Sequence, residues 1–156
     1  MTAPDLSPRD LAGAWRIVAS TFPMWTGGRR TEATFTYTPL PDAPDGAGRM
    51  RDEVAYRTRR GAPRRIRGTD TRLPRPGTVY RWRGSGLLAP LTSTWSVTEV
   101  SDDATWAVIA FSPSLVTPAG ADVVLRPSAL SDPAVLQAAR IVARRLGATP
   151  LGPLAP

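Results

Sequence analysis

Residues 49–83, RMRDEVAYRTRRGAPRRIRGTDTRLPRPGTVYRWR, contain the alternation that decides the predicted fold. Arginines and apolar residues alternate there with a period of two, which is typical of β-strands with one buried face. The segments RRGAPR (59–64) and LPRPG (73–77) interrupt the alternation with Gly and Pro, as turns do. We therefore predict three consecutive antiparallel strands. Their inward face carries Met50, Val54, Tyr56, Ile66, Tyr80 and Trp82.

The charge of this stretch permits three interpretations. It holds 12 arginines and 3 acidic residues, in a chain with a formal net charge of +7. The arginines can form a nucleic-acid-binding surface, a solvated outer face, or a basic rim at the mouth of a barrel. The candidates for such a rim are the strand-end residues Arg59, Arg60, Arg72 and Arg75. Because the aromatic side chains fall on the opposite face, we favour the solvated face and expect no nucleic-acid partner.

The residue types that are absent restrict the chemistry. The sequence contains no Cys, His or Lys, which excludes disulfides, thiolate or imidazole catalysis, Schiff bases and zinc–thiolate sites. We expect no metal and no cofactor. The start MTAPDLSPRD (1–10) lacks the apolar region of a signal peptide, and no stretch approaches the length of a membrane span. We therefore expect a cytoplasmic protein without a membrane partner.

The rest of the sequence extends the pattern in both directions. Five further strands are predicted at about 14–21, 31–40, 91–100, 104–111 and 121–127. A helix is predicted over about 132–146, with Ser131 or Asp132 as its N-cap and Gly147 at its end.

These elements predict an all-β fold, an eight-stranded antiparallel up-and-down barrel with a C-terminal α-helix. The strands occupy about residues 13–127, and a single domain is expected over residues 1–156. A barrel of this size can hold one small ligand inside.

Three short motifs lie next to the predicted strands. GAW (13–15), after a predicted helical turn, is similar to the Gly-x-Trp motif that opens the first strand of the lipocalin family. SDD (101–103) partly matches the Thr-Asp-Tyr motif before the seventh strand, with an aspartate in place of the tyrosine. VVLRPSALSD (123–132) places Arg126 where the family has an arginine before its C-terminal helix. The resemblance covers about residues 7–150.

The resemblance implies both structural and functional roles. In the family the arginine stacks over the motif tryptophan at the closed end of the barrel, so Gly13, Trp15 and Arg126 are expected to be structural. The resemblance also implies a cavity for a hydrophobic small molecule. Similar barrels act as carriers or, in bacterial natural-product pathways, as cyclases, including pericyclic ones.

The inward faces and the first loop supply the candidate ligand contacts. Aromatic walls with few polar groups are typical of small-molecule pockets. FPMWTGG (22–28) follows the first strand and is expected to cover the open end of the barrel as a lid or a plug. The facing of Trp95 and Trp106 stays open, because a one-residue shift of register reverses it. The predicted ligand-binding residues are Phe22, Met24, Trp25, Phe35, Tyr37, Tyr56, Tyr80 and Trp82.

Four polar residues are candidates for catalysis. Asp52 and Asp70 fall on the apolar faces of their strands, where a carboxylate needs a partner or a raised pKa. Tyr37 and Tyr80 are candidates to polarise a carbonyl group.

Two functions remain open for such a cavity. We favour a cyclase or isomerase that confines a polyketide-like substrate in a reactive conformation, because a pericyclic cyclisation needs little acid–base chemistry. The alternative is a non-catalytic carrier or sequestering protein. Arginines near the mouth would suit an anionic group on the hydrophobic ligand.

Overall fold

The computed structural model describes residues 3–114 and 118–156, in which eight antiparallel strands follow one another around a closed barrel. The strands are β1 Gly13–Ser20, β2 Arg30–Leu40, β3 Arg49–Thr58, β4 Pro63–Arg72, β5 Thr78–Gly84, β6 Thr92–Val100, β7 Trp106–Phe111 and β8 Gly120–Leu125. A two-residue strand, β9 Thr149–Pro150, adds to β1. The α-helices are α1 Pro8–Leu11, α2 Pro23–Thr26 and α3 Pro133–Leu146.

Strand β1 closes the barrel by pairing on both sides. It is antiparallel to β2, with Trp15 opposite Phe35, and antiparallel to β8, with Ile17 opposite Val124. The predicted eight-stranded up-and-down barrel is therefore confirmed.

The stretch that opened the sequence analysis forms β3, β4 and β5, joined by tight turns. The β3–β4 turn is closed by a hydrogen bond from the Thr58 N–H to the Ala62 carbonyl (2.9 Å). Gly61 has a φ of +82° in this turn, a backbone conformation that favours glycine. Most arginines of the three strands project outward, and Arg65 and Arg67 form ion pairs with Glu53 on the outer face (3.6 and 3.0 Å). Arg72, the last residue of β4, instead contacts the N-terminal segment through the Leu6 carbonyl.

The predicted C-terminal helix is confirmed as α3. Asp132 is its N-cap and accepts hydrogen bonds from the N–H groups of Ala134 (3.0 Å) and Val135 (3.4 Å). Gly147 ends the helix with a φ of +67°.

Two separate hydrophobic cores follow from the alternation along the strands. One fills the barrel and contains Trp15, Ile17, Phe35, Tyr37, Tyr80 and Trp95. The other lies outside the barrel, where α3 packs on the outward residues Val18, Val108, Val123 and Leu125. The helix therefore covers the strands around the closure without entering the interior.

The antiparallel path gives the barrel two different ends. The end where β1 leads into α2 carries the β3–β4 and β5–β6 connections, and we call it the mouth. The opposite end, which we call the base, carries the N-terminal segment and the β4–β5 turn. The Leu6 N–H there donates a hydrogen bond to the Thr78 hydroxyl (2.8 Å).

An arginine stacked on an indole ring closes the base. The Cζ atom of Arg126 lies 3.8 Å from the centroid of the Trp15 ring, whose Nε1–H donates to the Leu11 carbonyl (2.9 Å). The guanidinium also donates to backbone carbonyls of residues 10–14, the shortest bond reaching Ala12 at 2.8 Å.

Gly13 allows this stack to form. Its φ is +100°, and a Cβ atom at this position would lie 3.1 Å from the Nη1 atom of Arg126. A side chain there would strain the backbone and press on the guanidinium.

We expect the substitution Arg126→Ala to lower the free energy of unfolding by about 2–3 kcal/mol. The variant loses the cation–π contact and leaves partly buried carbonyls without donors. Urea denaturation measures the change. Arg140→Ala, on the exposed face of α3, is the control, and we expect it to change stability by less than about 0.5 kcal/mol. Equal stability of the Arg126→Ala variant and the wild type would contradict this role.

Candidate functional site

A cavity of about 320 Å³ lies inside the barrel below the mouth. Its size falls at the lower end of the range for small-molecule pockets. Its walls are mainly apolar, and the polar residues among them are Asp52, Ser93 and Asp122. The apolar lining consists of Phe22, Met24, Trp25, Phe35, Tyr37, Val54, Ile66, Trp82, Leu88, Leu91, Trp95 and Phe111.

The segment after β1 covers the cavity. Phe22 and Trp25 are buried, while Met24 at the rim of α2 is 38% exposed. The Phe22 ring meets the edge of Phe111 (centroids 5.4 Å apart), and the Trp25 ring meets Tyr56 (5.7 Å). These edge-to-face contacts hold α2 against the barrel wall.

A column of stacked rings forms the lower wall of the cavity. Tyr37 lies between Phe35 and Trp95, with ring centroids 6.2 and 5.4 Å away, and Trp95 stacks in turn on Tyr80 at 5.0 Å. The hydroxyl of the fully buried Tyr80 donates to the Leu6 carbonyl (3.3 Å) at the base. The column thus joins the cavity to the base of the barrel.

Asp52 and Asp70 form a buried carboxyl pair on neighbouring strands. In the β3–β4 register Asp52 lies opposite Gly68, and Asp70 lies opposite Met50, so the two side chains are diagonal neighbours on the inner face. Asp70 Oδ1 accepts a hydrogen bond from Trp95 Nε1–H (2.9 Å). Among the described residues, Asp52 Oδ1 and Asp70 Oδ2 meet no donor group. A proton shared between the two carboxyls would satisfy both oxygens.

The titration of the pair agrees with a shared proton. Burial raises the pKa of Asp52 to about 6, and its hydrogen bond with Asp70 lowers it in part. Burial also raises the pKa of Asp70 well above its ordinary value, and the charge of Asp52 adds to this effect. Burial therefore favours the protonated form at both positions, and Asp52 is the member of the pair that lines the cavity.

Asp122 is a third buried carboxyl on the cavity wall. It lies on β8 opposite Ser20 of β1 and is 1% exposed. The Ser20 hydroxyl is near it, but neither oxygen of Asp122 has a partner within hydrogen-bond geometry in the described part of the chain. Burial raises the pKa of Asp122 to about 7, and the Ser20 hydroxyl lowers it in part. Near neutral pH both forms of this carboxyl are accessible.

The two candidate tyrosines are neutral groups in this environment. Burial raises the pKa of Tyr37 well above its ordinary value, and the charges of Asp52, Asp70 and Asp122 raise it further. Burial raises the pKa of Tyr80 to about 12, against the influence of Arg72. Both phenols can therefore donate hydrogen bonds, but neither is a base near neutral pH.

The structure brings most of the sequence-predicted site residues to the cavity. Tyr56 packs behind Trp25, Tyr80 lies below Trp95, and Asp70 lies behind Asp52. The predicted residues that line the cavity are Phe22, Met24, Trp25, Phe35, Tyr37, Asp52 and Trp82.

The expectation of a basic rim at the mouth is wrong for two of the four arginines. Arg72 and Arg75 lie at the base, because β4 runs from the mouth to the base. Arg72 donates to the carbonyls of Leu6 (2.8 Å) and Gly77 (2.7 Å). Arg59 and Arg60 are exposed in the β3–β4 turn. In the described ranges no arginine lines the cavity.

Several lining residues were not singled out from the sequence. Trp95 points inward, while Trp106 packs in the outer core near α3. Asp122 shares the inward face of β8 with Val124, and this alternation was the available signal. The remaining residues of this kind are Ser93, Leu91 and Phe111.

Gly68 shapes the wall beside Asp52. A Cβ atom at this position would lie 2.1 Å from Trp82 Nε1 and 2.5 Å from Trp82 Cε2. The Trp82 indole ring thus packs directly against the backbone of β4 at Gly68. Asp52 and Asp70 lie next to this contact, opposite Gly68 and Trp82 on the neighbouring strands.

Two features are absent from residues 3–114 and 118–156. These residues contain no group of three or more acidic, His or Cys side chains arranged to hold a metal ion. None of their helices has the length and apolar character needed to cross a membrane.

Comparison with known proteins identifies the fold. No family model and no curated protein matches the chain. The siderocalin Ex-FABP, described as functioning through dual ligand specificities, is similar in structure, with a TM-score of 0.56 and 19% identity over 89% of this chain and 84% of that one. Lobster apocrustacyanin A1 has a TM-score of 0.56 and 12% identity over 97% and 91%. Apocrustacyanin C2 also has a TM-score of 0.56 and 12% identity, over 97% and 90%. The chain therefore has the lipocalin fold.

We expect the substitution Asp122→Asn to remove part of the pH dependence of stability. The pKa of Asp122 is raised from 3.8 to about 7, so the folded state binds this proton more tightly than the unfolded state does. The resulting stabilisation is complete below about pH 4 and is lost as the pH rises through about 7. One pKa unit corresponds to about 1.4 kcal/mol. Between about pH 4 and about pH 8 the free energy of unfolding of the wild type should therefore fall by several kcal/mol more than that of Asp122→Asn.

Urea denaturation from about pH 4 to about pH 8 provides the measurement. The difference between variant and wild type is the relevant quantity, because acid also increases the repulsion among the arginines. Glu53→Gln, an outward carboxylate paired with Arg67, is the control and should follow the wild type across this range. If Asp122→Asn also follows the wild type, Asp122 does not titrate in this way.

Proposed function

We propose that the protein binds a hydrophobic small molecule in the barrel cavity and acts on it as a cyclase or isomerase. The observation that carries the proposal is a cavity with seven aromatic side chains on its walls and buried carboxyls among them. Burial of apolar ligand surface stabilises a complex by roughly 25 cal/mol per Å². The aromatic walls therefore favour an apolar ligand that fits within about 320 Å³.

The covered mouth supports confinement of the ligand. Phe22 and Trp25 place apolar surface over the cavity, and Leu88 contributes from the β5–β6 connection. A flexible chain held in such a space loses conformational freedom on binding, so less remains to be lost on the way to the transition state.

The carboxyl pair supports a reaction. In an intramolecular cycloaddition two carbon–carbon bonds form at the expense of π bonds, so no atom leaves and the mass is unchanged. Asp52 and Tyr37 can donate hydrogen bonds to a carbonyl group of the substrate when protonated. A donor placed in an apolar site stabilises the charge that develops on that oxygen.

A carrier or sequestering protein is the second candidate. Its specific support is that a carrier requires only the apolar cavity and no reactive group, and that the structurally similar siderocalin is described through its ligand specificities. The two candidates share the ligand site and differ only in the fate of the ligand.

We expect the substitution Ile66→Trp to weaken the binding of a neutral apolar probe such as N-phenyl-1-naphthylamine by about tenfold or more. The larger side chain occupies the cavity that Ile66 lines, and the displaced ligand loses its apolar contacts. Probe fluorescence gives the dissociation constants. Thr69→Trp places the same ring on the outward face of β4 and should leave binding within about twofold. Equal loss in both variants would exclude the cavity as the binding site.

Incubation with linear polyene or polyketide substrates tests the reaction. We expect a new product of unchanged mass in mass spectrometry coupled to chromatography, formed about tenfold or more slowly by Tyr37→Phe because a donor to the carbonyl is removed. Glu53→Gln serves again as the control. Candidates that quench tryptophan fluorescence but are returned unaltered would support the carrier and contradict the cyclase.

A further inference from the structure

We infer that the ligand of the cavity carries a positively charged amine, which pairs with Asp122. This inference rests on the proposed ligand-binding function and specifies the chemical class of the ligand. It departs from the anionic group that the arginine-rich sequence suggested.

Among the three buried carboxyls at the cavity, Asp122 has the fewest hydrogen-bond partners in the described residues. Asp52 and Asp70 each have one buried oxygen without a partner, and Trp95 Nε1–H donates to the other oxygen of Asp70 (2.9 Å). Asp122 has no such arrangement: both of its oxygens lack hydrogen-bond partners within the described ranges, although the residue is 1% exposed. A buried carboxyl without partners is unfavourable, and a donor supplied by the ligand would remove this cost.

The groups around Asp122 leave room for a cation and disfavour an anion. Ser20 of β1 lies opposite Asp122, and the charge of Asp122 raises the pKa of the Tyr37 phenol on β2. Asp52 and Asp70 act on the same phenol, so the three acids share one region of the interior. No Arg lines this cavity in residues 3–114 and 118–156. A ligand carboxylate would meet like charges there in a medium of low dielectric constant.

The aromatic walls favour an ammonium group as well. Phe22, Phe35 and Tyr37 line the cavity together with Asp122. Ring faces attract cations, and the attraction grows when water is excluded. A carboxylate beside such rings matches a ligand with an ammonium group on an apolar body.

Three probes of equal skeleton test the charge preference: 4-phenylbutylamine, 4-phenyl-1-butanol and 4-phenylbutyrate. At about pH 8 Asp122 is mainly ionised and the amine is charged, so we expect the amine to bind about tenfold tighter than the alcohol. We expect the carboxylate to bind most weakly. Isothermal titration calorimetry gives the three dissociation constants. At about pH 5 Asp122 is protonated, and the advantage of the amine over the alcohol should shrink to about twofold or less.

The substitution Asp122→Asn tests the partner. We expect it to abolish the preference for the amine at about pH 8 and to leave the affinity for the alcohol within about threefold. Glu53→Gln, on the outer face, should keep the wild-type preference. The wild-type pH series tests the same point independently, should the variant fold poorly.

The outcomes separate this inference from the proposed function. Equal affinities for amine and alcohol, or tightest binding of the carboxylate, would overturn the assignment of charge and leave the hydrophobic cavity as the binding site. A preference for the amine that persists in Asp122→Asn would overturn the assignment of the partner. If none of the three probes binds, the inference and the proposed binding function both fail.

Discussion

Closure of the sheet through β1 is the constraint on which the rest of the structure depends. With β2 on one side and β8 on the other, every strand residue faces either the shared interior or the outside. A one-residue shift of any strand would expose its entire inward set. The carboxyls of Asp52, Asp70 and Asp122 are therefore held inside chiefly by the many apolar residues that share their faces, and Asp70 in addition accepts a hydrogen bond from Trp95.

The barrel can be predicted from the sequence because the alternation of apolar and polar residues along each strand follows from the burial of one face. The three arginine-rich strands form as β3 to β5 on either side of the predicted turns, and the helix α3 lies within a residue of its predicted bounds. The direction of each strand matters for the site, however, and charge counts do not contain it, so Arg72 was expected at the wrong end. Register irregularities within β1 and β6 also decide what faces inward. Alternation in one strand alone did not settle the facing of Trp95.

The outer face and the cavity of the barrel differ in charge. Most arginines of β3 to β5 lie on the outer face, where water and acidic partners such as Glu53 surround them. The interior holds acids without cations in contact, within the part of the chain that the structure describes. This arrangement is unfavourable for an empty, ionised cavity, and it is relieved by protonation or by a ligand. The most informative residues are accordingly the few polar ones on otherwise apolar faces.

The two hydrophobic cores differ in what sequence change they can absorb. The outer core beneath α3, which includes Val108, Val123 and Leu125, stabilises the strands at the closure without contacting the cavity. Mutations that enlarge or reshape the interior leave the contacts of this outer core in place, so part of the free energy of unfolding is retained. During evolution the residues that line the cavity can therefore change to bind new ligands while the barrel stays folded. The site is free to diversify because the scaffold's stability is partly stored elsewhere.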